Sequence, residues 1–232
     1  KISSANIVPE DPIIMRPKRH FDTVLYSGNG STQSITGLEF KPDLVWIKQR
    51  NTQRDNQLYD VVRGATKRVR SNTTDAEDTK SAGLTSFDYG GFSLGDHQGV
   101  NVSSGTYVAW CWKAGGAAVT NNDGSITTQV SANQEAGFSI VTYTGNGTNG
   151  ATIGHGLGKA PAMRFGRATS DIGTVGSAGA HWTWNHQSLT NGMNGGSSAG
   201  TVFINLTQAE ETNNHGAIGA VSSTTATLSD GS

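Results

Sequence analysis

Phe21-Asp22-Thr23-Val24-Leu25-Tyr26-Ser27-Gly28-Asn29-Gly30 is answered later in the chain by Phe138-Ser139-Ile140-Val141-Thr142-Tyr143-Thr144-Gly145-Asn146-Gly147. Both stretches carry a run of β-favouring residues closed by a Gly-Asn-Gly turn, which predicts a strand followed by a tight reversal. The likeness continues: Gly156 to Pro161 answers Gly37 to Pro42, Asn205 to Glu210 answers Asn72 to Glu77, and Ala226-Thr227-Leu228 answers Phe92-Ser93-Leu94. The spacing widens along the way, which places a Gly/Ser/Ala-rich insertion between about Ile172 and Ala199 of the second copy. Tandem duplication of a β unit is the simplest account.

Around these anchors the first copy reads as a series of short strands. Leu44-Val45-Trp46-Ile47-Lys48 follows Pro42 and is the strongest strand signal of this half, and Leu58 to Val62 and Thr66 to Arg70 read as two more. Phe87 to Leu94, with Gly90-Gly91 between aromatic positions, reads as a hairpin or a bulged strand. Tyr107-Val108-Ala109-Trp110-Cys111-Trp112-Lys113 is apolar on both faces and is expected to be a central strand buried on two sides, with Trp46, Trp110 and Trp112 in the core. Nothing after Leu228 matches this last strand, so either the sequence stops early or a neighbouring chain or domain supplies it.

Composition agrees with an all-β fold. The 31 glycines, with Ser, Thr and Asn between apolar runs, suit tight turns and leave little material for helices. With 232 residues, 34% of them hydrophobic, the chain can bury one or two β-rich cores. A net charge of −1 with 15% charged residues gives no basic field for phosphates, which argues against a nucleic-acid partner. The single Cys111 forbids an intrachain disulfide, and no stretch is long and apolar enough to cross a bilayer as a helix. Beginning at Lys1 rather than Met, the sequence reads as a segment of a longer or processed polypeptide.

The expected organisation is therefore all-β: two tandem related β-sandwich repeats preceded by an extended Pro-rich arm. Residues 1–20 carry Pro9, Pro12 and Pro17 and form the arm, either a strap onto a neighbour or a plain linker. Residues 21–116 form the first repeat, 117–136 a linker and joining strand, and 137–232 a second repeat that lacks its last strand.

The stretches F-D-T-V-L-Y-S-G-N-G-S (Phe21 to Ser31), P-D-L-V-W-I-K (Pro42 to Lys48), N-T-T-D-A-E (Asn72 to Glu77) and Y-V-A-W-C-W-K-A (Tyr107 to Ala114) carry a resemblance. With them the chain resembles a repeated β domain of large bacteriophage structural proteins, tail-fibre-like and frequent in marine phages. The resemblance implies a lectin-like, jelly-roll β-sandwich on a virion appendage, at the virion surface or extracellular, with no agreed catalytic centre. It implies host-surface glycan or receptor binding, with other virion proteins and further copies of the chain as partners. A capsid or tail decoration protein with an assembly role alone is the alternative, and a glycan depolymerase a third reading. The second copy departs from the pattern, with Met163-Arg164-Phe165-Gly166-Arg167 where the first has Leu44 to Lys48.

Two clusters stand out as candidate sites. Trp182 and Trp184 share a strand face beside Asn185, His186 and Gln187, where aromatic faces could stack on a sugar ring while amides meet its hydroxyls; simple sandwich packing is the other reading. Asp75, Glu77 and Asp78 put three carboxylates in four residues, either Ca²⁺ ligands at a loop or a solvated acidic turn, although their spacing fits no EF-hand. His155, His181, His186, Ser188 and Asp171 form no recognisable catalytic motif, so the chain is expected not to be an enzyme.

Overall fold

Alternation decides which side of each strand meets the core, and in β1 (Phe21–Ser27) it is regular, with exposed and partly buried positions taking turns. The computed structural model describes residues 14, 16–73, 75–146, 148, 150–167, 169, 182–186, 202–203, 218–221 and 224–228. After β1 come β2 (Gln33–Thr36), β3 (Leu44–Gln49), β4 (Gln57–Asp60), β5 (Lys67–Arg68), β6 (Asp78–Thr79), β7 (Leu84–Asp88), β8 (Gly91–Leu94) and β9 (Thr106–Trp112). One helical turn, α1 (Gln98–Asn101), precedes β9. The expected strands at Leu58 to Val62 and Thr66 to Arg70 are shorter than read, ending at Asp60 and confined to Lys67–Arg68.

All pairings between these strands are antiparallel. β1, β9, β3 and β4 form a four-stranded sheet in that order, and β2, β8 and β7 form a second sheet. Val45 and Ile47 of β3, Tyr59 of β4 and Tyr107, Ala109 and Cys111 of β9 belong to one buried cluster with Ile35, Leu84, Phe92 and Leu94 of the other sheet. The two sheets thus share a core in a β-sandwich-like arrangement. Gly91 shows how closely β8 and β2 approach: a Cβ there would fall 1.8 Å from the carbonyl oxygen of Ile35.

The sequence placed Tyr107 to Lys113 at the centre of a sheet, and β9 does pair on both edges, with β1 and with β3. Its burial is one-sided, however. Tyr107, Ala109 and Cys111 are fully buried, whereas Val108, Trp110 and Trp112 point to the outer face and are only partly buried, as is Trp46 of β3. The three tryptophans expected in the core stand outside it, because the second sheet covers one face of the four-stranded sheet and not the other.

The remaining strands are β10 (Val119–Asn121), β11 (Thr128–Asn133), β12 (Phe138–Thr142), β13 (Thr152–Gly154), β14 (Met163–Arg167), β15 (Trp182–His186), β16 (Val202–Phe203), β17 (Ile218–Val221) and β18 (Thr225–Leu228). They form three antiparallel sheets, in the orders β10-β11-β12, β13-β18-β17 and β14-β15-β16. With almost no helix, the described residues make an all-β protein, and none of its helices is long and apolar enough to cross a membrane. Of the Pro-rich arm, residues 17–19 make a 3₁₀ turn, and most of residues 1–15 lie outside the described residues.

Candidate binding face

The outer face of the four-stranded sheet is assembled by register. Trp46 of β3 lies opposite Trp110 of β9, which lies opposite Thr23 of β1; one row along, Leu44, Trp112 and Phe21 are aligned, and on the other side Lys48, Val108 and Leu25. Cross-strand neighbours on one face are close enough for their side chains to pack. Trp46 and Trp110 meet edge to face, with ring centroids 6.1 Å apart at 74°. Phe21 lies 5.0 Å from Trp112, and Trp112 stacks on Phe138 of β12 at 6.1 Å. Leu25 is 63% exposed and Phe21 41%. The result is an aromatic strip that runs across the sheet and is open to solvent along β1.

Amides border the strip at the start of β4. The Trp46 indole N–H donates to Asn56 Oδ1 at 2.9 Å, which fixes the ring. Asn72 Oδ1 accepts from the Asn56 backbone N–H at 2.9 Å, while Asn72 Nδ2 donates to Asp55 Oδ1 at 2.8 Å. A held indole beside amide and carboxylate groups is the chemistry that recognises a polyol: the ring covers the C–H face, and the polar rim takes hydroxyls.

The two clusters singled out from sequence fare differently. Asp75, Glu77 and Asp78 are each engaged by a cation. Arg70 meets Asp75 at 3.0 Å and Arg63 meets Glu77 at 3.1 Å, while Arg68 donates to Asp78 from Nε and Nη2, with Lys80 at 3.3 Å. Burial alone would raise the Asp78 carboxyl, but hydrogen bonds and charge from Arg68, with Lys80, outweigh it and hold it below the ordinary value. Arg63 also bonds Asp60 at 2.6 Å, so this side of the fold is an ion-pair network in which the carboxylates face guanidinium groups. Among the described residues no group of three His, Cys, Asp or Glu is arranged to hold a metal ion. Trp182, Trp184, Asn185 and His186 lie on β15, whose backbone pairs with β14 so that Phe165 faces Trp184 and Met163 faces His186. Gln187 lies outside the described residues.

Residues 16–232 match the model of a family described as a domain of unknown function, DUF7483. The chain belongs to the DUF7483 family. No curated protein and no solved structure matches it. The DUF7483 match takes in both halves of the chain, from just before β1 to beyond β18.

Where the halves of this DUF7483 chain meet there is a cleft of about 560 Å³, lined in part by His20, Lys41, Asp43, Lys113 and Glu135. Asp43 is buried, and its Oδ2 accepts backbone N–H groups of Ala114 at 2.8 Å and Gly116 at 3.2 Å. Burial raises its carboxyl above the ordinary value, against the lowering effect of those N–H groups and of Lys41 and Lys113. His20 Nδ1 lies 3.0 Å from Asn133 Nδ2, and its Nε2 3.5 Å from Glu135. Asn133 Nδ2 also donates to Lys113 O at 3.1 Å, and Ser131 Oγ accepts the Gly115 N–H at 2.9 Å, which ties the end of β9 to β11. His155 is buried in a turn, where its Nδ1 accepts the Leu157 N–H at 3.2 Å.

Sequence reasoning missed Asn56 and Asn72 as partners of the aromatic strip, because lone asparagines in polar loops carry no local signal. It had Trp46 and Trp110 in hand, on the right face of their strands, but expected that face to be buried in the core. Alternation in β9, with small Ala109 and Cys111 on one face and the Trp110 and Trp112 rings on the other, was the signal that the indoles do not fill the interior.

Proposed function

We propose that this chain is a binding module of a virion surface protein, built of two tandem β-sandwich units, and that the outer aromatic face of its first unit takes a host-surface glycan. The observation that carries the reading is the partly exposed Trp46 and Trp110 pair, fixed by Asn56 and continued by Phe21 and Leu25 on one sheet face. Single exposed apolar residues are ordinary, whereas a contiguous aromatic strip with a polar rim marks a recognition surface. The phage-type signature within β1, β3 and β9 supports a virion setting. Two strand orders support the tandem architecture: β2-β8-β7 reappears as β13-β18-β17, and the β3-β4 pair as β14-β15. The reading places no chemistry of bond cleavage in the chain; Asp55, the carboxylate beside the face, is held by Asn72 of a neighbouring loop.

The same strip also suits an assembly role, because Leu25 at 63% exposure and Phe21 at 41% are apolar groups that a subunit contact would cover. Binding to a glycan array and titration calorimetry on the leading sugar separate the two. Wild type is expected to bind, and the Trp46→Ala and Trp110→Ala double variant to lose at least tenfold in affinity, a difference of about 1.4 kcal/mol. Retained circular dichroism keeps that loss interpretable. Absence of sugar binding by wild type, with concentration-dependent oligomers that Leu25→Ser dissolves, would replace the glycan reading with the assembly one.

A further inference from the structure

The outer face of the four-stranded sheet changes character along its strands. Its middle row is the indole pair, with Trp46 of β3 in register with Trp110 of β9. Toward the end of β3, Lys48 lies opposite Val108, which lies opposite Leu25. The ladder then runs on past β3: the Arg50 N–H donates to Thr106 O at 2.7 Å, and Thr106 is in register with Ser27. Alternation therefore puts Arg50 on the same face as Lys48 and Trp46. Residues two apart on a strand stand roughly 7 Å from each other, so the two cations follow the indole pair along one line.

Where this face is open, its charge has one sign. The outward positions of β1 and β9 are neutral throughout, and Thr23, Ser27 and Thr106 among them bring hydroxyls. Asp60 of β4 lies at the other end of the face, opposite Leu44, where it is buried and bonded to Arg63 at 2.6 Å. Asp55, in the loop before β4, is taken by Asn72. The Lys48 ammonium donates to Gln49 O at 2.8 Å, and it carries three donors in all. Arg50 is exposed.

We infer that the glycan taken by this face is acidic: its anionic group, a carboxylate or a sulfate, meets Lys48 and Arg50 while a neighbouring ring stacks on Trp46 and Trp110. A neutral sugar offers the two cations only hydroxyls, whereas an anionic oxygen makes charge-assisted hydrogen bonds, which are shorter and stronger. Lysine supplies a mobile point charge and arginine a planar fork, so the pair accommodates either anion. The indoles contribute contact area that any sugar can use, and the cations select among sugars. With a net charge of −1 the chain has no general pull on anions, so the selection is local to this end of the face. The inference rests on the glycan reading above and names the class of glycan.

The test probes the full chain with an array of matched acidic and neutral glycans, among them sialyllactose with lactose, oligogalacturonate with its methyl ester, and dextran sulfate with dextran. The first two pairs report a carboxylate and the third a sulfate. Wild type is expected to bind the acidic member of at least one pair roughly tenfold more tightly than the neutral one, an advantage that shrinks at high salt. The Lys48→Gln and Arg50→Gln double variant, with circular dichroism unchanged, should lose that advantage and keep its binding of the neutral member. The Trp46→Ala and Trp110→Ala double variant should weaken both members alike. Lys159→Gln, which removes an exposed charge from the second half, should change neither. Equal binding of both members by wild type overturns the inference and leaves the glycan reading standing. So does an acidic advantage that survives in the Lys48 and Arg50 variant, or one that Lys159→Gln removes as well. Binding of no glycan on the array overturns the glycan reading and the inference with it.

Discussion

Asn101, at the end of α1, is fully buried, and its side chain is the point at which three loops are joined. Its Oδ1 accepts the Asn29 N–H at 3.0 Å, and its Nδ2 donates to Gly95 O at 2.8 Å, to Asn29 Oδ1 at 3.2 Å and, more closely, to Ser31 O. Asn101→Ala removes all of these and leaves the carbonyl of buried Gly95 without its side-chain donor, while the Asn29 N–H and the Ser31 carbonyl belong to exposed residues and can turn to water. At roughly 1 kcal/mol for each hydrogen bond lost, and more where a buried group is stranded, the variant should lose about 3 kcal/mol. In a chain of this length that is a fall in melting temperature of roughly 6–12 °C. Asn101→Asp sharpens the reasoning, since it keeps the acceptor for Asn29 but turns a carboxylate oxygen toward the Gly95 and Ser31 carbonyls. The new carboxyl would have its folded-state pKa raised. The variant should therefore match wild type best below about pH 4 and fall away as pH rises through the ordinary carboxylate value, whereas the alanine deficit stays flat. Urea and thermal melts from pH 3.5 to 7.5 measure both. An alanine variant within about 1 kcal/mol of wild type, or an aspartate variant equal to it at pH 7, would refute the assignment.

Other sites give further expectations. Burial pushes the Cys111 thiol up to about 12, so at pH 8 a thiol-specific reagent should label it only at the rate of unfolding, and fast labelling of the native chain would contradict its place in the core. Gly91→Ala sets a methyl against the Ile35 carbonyl and should cost about 2–3 kcal/mol in denaturant melts, an effect absent only if β8 and β2 are further apart than described. The Asp78 carboxyl, held below its ordinary value, contributes stability above that value that is lost as pH falls through the folded one. Melting temperature should drop on the acid side of about pH 4, and Asp78→Asn should flatten that part of the curve. Asp43 has the opposite sign: with its carboxyl raised by burial, its contribution declines as pH rises through the ordinary carboxylate range, so Asp43→Asn should flatten the less acidic limb.

What could be read from sequence depended on whether the deciding physics was local. Alternation and turn residues are local, so β1, β3, β9 and the β7–β8 hairpin were legible, and the all-β class with them. Pairing partners are not local. The acidic run at Asp75 to Asp78 looks the same whether it faces calcium or arginine. Only the fold brings Arg63, Arg68 and Arg70 to it, through the β5–β6 ladder that sets Arg68 opposite Asp78. The cluster around Trp182 was legible as a strand, now seen as β15 against β14, while the aromatic strip on the first unit was misread because apolar character on two faces is the same pattern whether or not a second layer covers each.

β9 accounts for most of what is distinctive here. On its inner side, Ala109 and Cys111 are small enough to let the two sheets close, with Tyr107 reaching to donate its hydroxyl to Gln98 O and to accept the Val102 N–H at 2.9 Å. On its outer side, Trp110 and Trp112 build the aromatic strip together with Trp46 and Phe21. A single strand therefore both completes the core and creates the surface on which the proposed recognition depends.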